Sequence, residues 1–152
     1  MDEIRSRMMQ LAQMGYDCSQ IIVIMGLDIK GKNVPDLVRA VGGLAGGCGE
    51  GSCTCGSLTG GCCLISLFTG KGEDREDRNL NQKAMLTELV RWFWYSYGFG
   101  YQGIDCMAIR EANTPVSVDQ RCWAIMESVY LKAMEILTAH GIKAVSEEYY
   151  AS

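Results

Sequence analysis

The stretch Gly56-Ser57-Leu58-Thr59-Gly60-Gly61-Cys62-Cys63-Leu64-Ile65-Ser66-Leu67-Phe68 decides the fold. As a strand it is poor, because strand interiors resist glycine and the flanks carry no hairpin signal. As a helix it gains a purpose. Gly56 and Gly60 stand one helical turn apart, on one face. A small face of that kind lets a second helix backbone approach closely, as small-residue pairs do in membrane bundles. The stretch therefore reads as a helix over 56–68, in spite of its glycines.

The flanking sequence reads the same way. Ile4, Met8, Leu11 and Ala12 repeat at helical spacing from Asp2 to Met14, and Gly15 ends that run. A second helix is predicted from Cys18 to Met25, with Ile21, Ile22 and Met25 on its buried side and Gly26 closing it. Residues 28–33 form a polar turn. Pro35 stands where a first helical position is expected, and Leu37, Val38, Val41, Leu44 and Ala45 follow at helix spacing. Downstream of the charged turn at 71–77, a long helix is predicted from Arg78 to Tyr97. Leu86, Leu89, Val90, Phe93 and Tyr97 form its stripe, and Gly98 and Gly100 stop it. A short helix covers 106–112. The last runs from Asp119 to Ala139, with Gly141 as its C-terminal stop. The tail to Ser152 is loose or a docked extra turn. No alternating strand pattern survives. The expected fold is all-α, a single-domain bundle of five to seven helices, with residues 1–152 as one cysteine-rich redox domain.

The composition agrees. A chain of 152 residues fits one domain. Hydrophobic residues make up 48%, enough for a core that does not lean on metal or disulfides alone. Charged residues at 21% exclude a disordered, solvating chain. The net charge of −4 and the lack of a basic stripe argue against nucleic acid. The longest apolar run, Ile21 to Met25 with Leu27, falls far short of the roughly 20 residues of a membrane span. Met1-Asp2-Glu3-Ile4-Arg5 opens no basic and apolar leader, so the expected compartment is the cytoplasm.

Eight cysteines is a high count for such a chain. In a reducing compartment it reads as metal binding or redox chemistry rather than as a disulfide framework. Cys18 follows Asp17, Cys55 follows Thr54, Cys106 follows Asp105, and Cys122 comes a few residues after Ser117 and Asp119. Asp, Ser and Thr are preferred N-caps, so these four are expected in first helical turns. There, free N–H groups and the helix dipole favour the thiolate, the form that attacks disulfides and binds metals.

The remaining four are Cys48, Cys53, Cys62 and Cys63. With Cys55 they match no zinc ribbon and no ferredoxin run. Cys55 and Cys62 share nearly one helical face but stand two turns, about 10 Å, apart. Gly47-Cys48-Gly49-Glu50-Gly51 lacks a preceding strand and a Gly-Lys-Ser/Thr end, so it is no phosphate loop. The chain also lacks Cys-x-x-Cys and Cys-x-x-Cys-His, which argues against a thioredoxin-type dithiol and covalent haem. Bundle helices can gather their ends, and four gathered thiolates call for a cation. Thiolate-only ligation favours an iron–sulfur cluster, Zn²⁺ or Cu(I).

The order Cys18, then Cys55-Gly56-Ser57-Leu58-Thr59-Gly60, then Cys106, then Cys122 resembles the C-GCAxxG-C-C family of redox-active proteins. The resemblance spans about Tyr16 to Leu137. It implies a redox role carried by those four cysteines. Ser57 stands where the family writes Ala, Cys55 is taken as the box cysteine with Cys53 as the alternative, and the other cysteines are extra to the pattern.

Three readings follow. The first is a redox or electron-transfer protein holding a thiolate-ligated metal centre, iron–sulfur foremost, on Cys18, Cys55, Cys106 and Cys122. Cys53, Cys62, Cys63 or Cys48 would complete the shell. The second is a metal-free thiol–disulfide protein with thiol pKa values below about 8.5. The third is a soft-metal carrier using Cys-x-Cys and Cys-Cys. The redox partner is open, and the aromatic segment 92–101 is either core or a homodimer face.

Overall fold

The structure, a computed structural model, describes residues 2–143. Its helices of six residues or more are α1 (Asp2–Gln13), α2 (Cys18–Lys30), α3 (Pro35–Val41), α4 (Gly56–Thr69), α5 (Gln82–Phe93), α6 (Cys106–Glu111) and α7 (Val118–Ala139). Among the described residues there is no strand, only an isolated antiparallel bridge between Thr54 and Asp105. The fold is an all-α bundle, as the periodicity predicts.

The glycine-bearing helix α4 is its centre and packs against α2, α5 and α7. The small face does what the spacing suggests. A Cβ on Gly60 would stand 3.0 Å from the Ser19 Cα, and one on Gly61 would stand 2.5 Å from Val129 Cγ1. Leu58, Leu64 and Ile65 of α4 are fully buried against Ile22 and Met25 of α2, Leu89 and Phe93 of α5, and Val129 and Tyr130 of α7. Burial of each such side chain is worth about 1.5–3 kcal/mol.

Two helices run differently from the sequence reading. Gly26 does not end α2, which continues to Lys30 and stops at Gly31 with φ +64°. Gly26 instead lies against Leu64 and Leu67, where any Cβ would overlap them. The run 21–27 is buried throughout because α2 is covered on two sides. One side joins the main core. On the other, Val23 and Leu27 pack with Val41, Leu37 and Leu67.

The long helix starts at Gln82 rather than Arg78, and Gly98 does not stop it. The chain passes from Phe93 into a π turn, Trp94–Gly98, and a last turn, Phe99–Tyr101, ending at Gln102 with φ +61°. Gly98 serves packing, since a Cβ there would stand 2.9 Å from Ile104 Cγ2 and would meet the Trp94 ring. Tyr97 stacks on Tyr101 and lies edge-on to Trp92, so much of the aromatic segment is internal, while Tyr95 and Phe99 are exposed. Among the described residues no helix is long and apolar enough to cross a membrane. The tail beyond 143, read as loose or docked, lies outside the described residues.

Candidate functional site

The Thr54–Asp105 bridge builds the site. The Cys55 N–H donates to the Ile104 carbonyl at 2.8 Å, and the Cys106 N–H donates to the Cys53 carbonyl at 3.0 Å. Two further bonds hold the preceding loop to this pair: Met107 N–H to Gly51 C=O at 2.9 Å and Cys53 N–H to Gly47 C=O at 3.1 Å. Immediately beyond the bridge the chain turns into α4 on one side and α6 on the other. Cys55 is the N-cap of α4, and Cys106 is the first residue of α6. Asp105 caps α6, its carboxylate accepting from the Ala108 N–H at 3.0 Å. A short two-stranded tie thus places two cysteines at two helix starts.

The third start arrives through close packing. Cys18 opens α2 after the extended Asp17, whose N–H donates to Gln20 Oε1 at 3.0 Å. The Ser19 hydroxyl donates to the Val41 carbonyl at 2.8 Å and fixes this end against α3. The Cys18 sulfur then lies against Gly56, where a Cβ would come within 2.7 Å of it. Gly47, with φ +63°, is equally constrained. A Cβ there would stand 2.6 Å from the Cys53 carbonyl oxygen and 2.7 Å from the Cys106 Cβ. Cys122 approaches from α7, but as its fifth residue it lies past the first turn where the sequence reading put it.

Charge on neighbouring cysteines of this set bears on Cys18, Cys55 and Cys122. Burial pushes the Cys55 thiol up to about 11, the amide N–H groups of Leu58 and Ser57 pull the other way, and Cys18 and Cys106 raise it further. Those amides face the sulfur without reaching full cap hydrogen-bond geometry. Burial also raises Cys18, opposed by the amides of Gly46 and Ser19 and the Ser57 hydroxyl, while Cys106 adds to the rise. Cys122 is raised by burial, then by Cys106 and Cys18, with Arg110 and Arg121 opposing. Helix-start N–H groups therefore act as the sequence reading anticipates, but desolvation outweighs them. The low pKa values expected of a metal-free dithiol do not appear at Cys18, Cys55 or Cys122.

The other four cysteines separate into two pairs. Cys62 and Cys63 sit mid-helix in α4. Cys62 packs on the main core and Cys63 on the smaller α2–α3 cluster. Burial raises both, Cys62 to about 11. The structure does not bring them to the four-cysteine cluster. Cys48 and Cys53 are exposed on the loop above it.

The sequence reading missed Ser57. Its hydroxyl faces the Cys18 sulfur, and the one signal was a hydroxyl where the family pattern writes Ala. It also missed Arg121, buried at 5% exposure, which ties α7 to the 109–116 segment beside Cys122.

The donor set is all cysteine sulfur, which once deprotonated suits a soft metal. As the side chains stand, no three Cys, His, Asp or Glu groups among the described residues converge on one ion. No curated protein and no solved structure matches the chain. One family profile does, described as "Putative redox-active protein (C_GCAxxG_C_C)", over residues 16–136. That match covers α2 through most of α7 and includes all four cluster cysteines, so the chain belongs to the C_GCAxxG_C_C family of redox-active proteins.

Proposed function

We propose that the redox centre of this protein is the cluster of Cys18, Cys55, Cys106 and Cys122, and that it holds a thiolate-ligated metal centre, iron–sulfur foremost, for electron transfer to a partner protein. The observation that carries the reading is the gathering of the four thiols from four different helices. Burial makes the Cys18 and Cys55 thiols poor free nucleophiles at neutral pH, while Cys122 stands exposed at the edge of the group. They are suited to a cation that takes their protons outright. A polynuclear cluster asks for less convergence than a single ion. In a cluster the thiolates would be divided among several irons, so the thiols would need to face one space and need not share a point. This favours iron–sulfur over Zn²⁺ or Cu(I).

The polypeptide supplies the rest. The amides of Gly46, Ser19, Ser57 and Leu58 and the Ser57 hydroxyl offer hydrogen-bond donors to sulfur charge. Arg110 and Arg121 add positive charge beside Cys122. Such donors, with burial, set the potential of a bound cluster. When bound, the cluster would supply one-electron transfer. The test is a visible spectrum with iron and acid-labile sulfide analysis on protein purified without oxygen. Broad absorbance that bleaches on reduction is expected, and a colourless, iron-free protein from an iron-replete host overturns the reading.

The second reading is a metal-free dithiol centre, favoured by the lack of three groups converging on one ion. Thiol titration before and after reductant separates it, since a reversible loss of cluster thiols without metal is its signature. For the soft-metal carrier, the Cys-Cys element is disfavoured because Cys62 and Cys63 line two different apolar clusters, which leaves Cys53-x-Cys55 as its basis.

A further inference from the structure

Cys48 and Cys53 are extra to the family's four-cysteine order, and both are exposed. The loop that carries them is closed on itself. The Cys53 N–H donates to the Gly47 carbonyl at 3.1 Å, so the residue before Cys48 is hydrogen-bonded to Cys53. Gly46, Gly47, Gly49 and Gly51 all have positive φ, and Cys48 itself is held at φ +61°. A left-handed backbone is uncommon for a residue with a β-carbon, and such strain concentrates at working positions. The closed loop keeps the exposed Cys48 and Cys53 on one stretch of six residues, with Gly47 bonded across to Cys53. Neither is seated in the core, in contrast with Cys62 and Cys18.

We propose that Cys48 and Cys53 form a second redox site, a surface dithiol–disulfide couple that exchanges with small-molecule disulfides. One thiolate of the pair attacks a sulfur of the external disulfide. A mixed disulfide forms and one external thiolate leaves. The second cysteine, having lost its proton to solvent, attacks the protein sulfur of the mixed disulfide and releases the second external thiol. The pair is oxidised by two electrons, the external disulfide is reduced to two thiols, and two protons are conserved between them. The site also lies next to the proposed four-cysteine centre. The Cys53 carbonyl accepts the Cys106 N–H, and Gly47 lies against the Cys106 Cβ. Closing the Cys48–Cys53 bond would therefore tighten the loop that covers Cys106.

The test uses the full chain with glutathione disulfide as probe, followed by alkylation of remaining thiols and peptide mass mapping. In the wild type, both thiols are expected to be lost together as a mapped Cys48–Cys53 disulfide. In Cys53→Ser, a glutathione adduct should accumulate on Cys48, and in Cys48→Ser on Cys53, because the resolving thiol is gone. Both side chains are exposed, and circular dichroism of each variant verifies the fold. Free Cys48 and Cys53 in the oxidised wild type, or either one bridged to another cysteine, overturns the proposal. The double variant Cys48→Ser/Cys53→Ser keeps all four cluster cysteines, so either result leaves the proposed metal centre separately testable.

Discussion

Gly56→Ala places one methyl group against the candidate centre. The new Cβ would stand 2.7 Å from the Cys18 sulfur and 3.1 Å from both Ala45 Cα and the Leu44 carbonyl oxygen. Comfortable carbon contacts lie at about 3.5–4.0 Å, so the sulfur must retreat by roughly 1 Å. The other two atoms are backbone and cannot move aside as a side-chain end can. The sulfur can leave only by giving up the Gly46 and Ser19 amides and the Ser57 hydroxyl. Overpacking of this kind costs about 1–3 kcal/mol. For a chain of this size a mid-range ~2 kcal/mol lowers Tm by about 4–8 °C. The assay is thermal unfolding by far-ultraviolet circular dichroism in reductant, together with the alkylation rate of Cys18 read by peptide mass. The expected result is a lower Tm and faster labelling of Cys18. Gly43→Ala is the control, because a Cβ there meets nothing within 4 Å. A Gly56→Ala protein as stable as the wild type, with Cys18 labelled at the wild-type rate, would refute the seating of Cys18 against α4.

Three other outcomes follow from the same geometry. Asp105→Ala removes the cap of α6 and should cost about 1 kcal/mol, seen as a lower urea midpoint; an unchanged midpoint contradicts the cap's role. Arg121 donates to the Ile109 carbonyl, to the Arg110 carbonyl at 3.3 Å, and to Thr114 Oγ1 and the Val116 carbonyl at 2.9 Å each. Arg121→Met should cost roughly 3 kcal/mol by chemical denaturation, and Arg121→Lys should not restore it, since one ammonium cannot reach this fork of acceptors. In the metal-free reduced protein, the Cys55 and Cys62 thiols are raised from 9.0 to about 11 in the folded state. Below pH 9 both folded and unfolded chains keep these protons. Above it the unfolded chain ionises first, so stability should fall as pH rises from 9 to 11, and a flat urea series across that window contradicts the burial.

Much of the fold is legible in the sequence because local rules and global packing agree. The Gly56/Gly60 face, Pro35 at a first helical position and the span of the last helix each specify an element, and each holds. Two misread stops share one cause. Gly26 and Gly98 look like stops because an isolated helix would end there, but tertiary packing keeps the chain helical through them. Gly26 is required by the approach of Leu64, and Gly98 by Trp94 and Ile104. The helix starts at Cys18 and Cys106 were legible because Asp17 and Asp105 stand before them, whereas Cys55 is itself the N-cap, one position ahead of the helix, with Thr54 in the bridge. Cys122 sits one turn deeper, where no cap signal speaks for its position. The separation of Cys62 and Cys63 from the cluster depends on which neighbours cover α4, and periodicity alone does not assign neighbours. The dominance of burial over helix-start N–H groups is likewise a property of the packed site. A sequence shows the donors but not the desolvation that opposes them.

The most direct test of a four-cysteine metal centre is iron and acid-labile sulfide content in anaerobic preparations of the wild type and of Cys18→Ser, Cys55→Ser, Cys106→Ser and Cys122→Ser, with Cys62→Ser as control. Near-equal iron and sulfide in the wild type and in the control, lost in each of the four cluster variants, is the expected result. A wild type without iron, or a Cys55→Ser protein that holds as much iron and sulfide as the wild type, would contradict it.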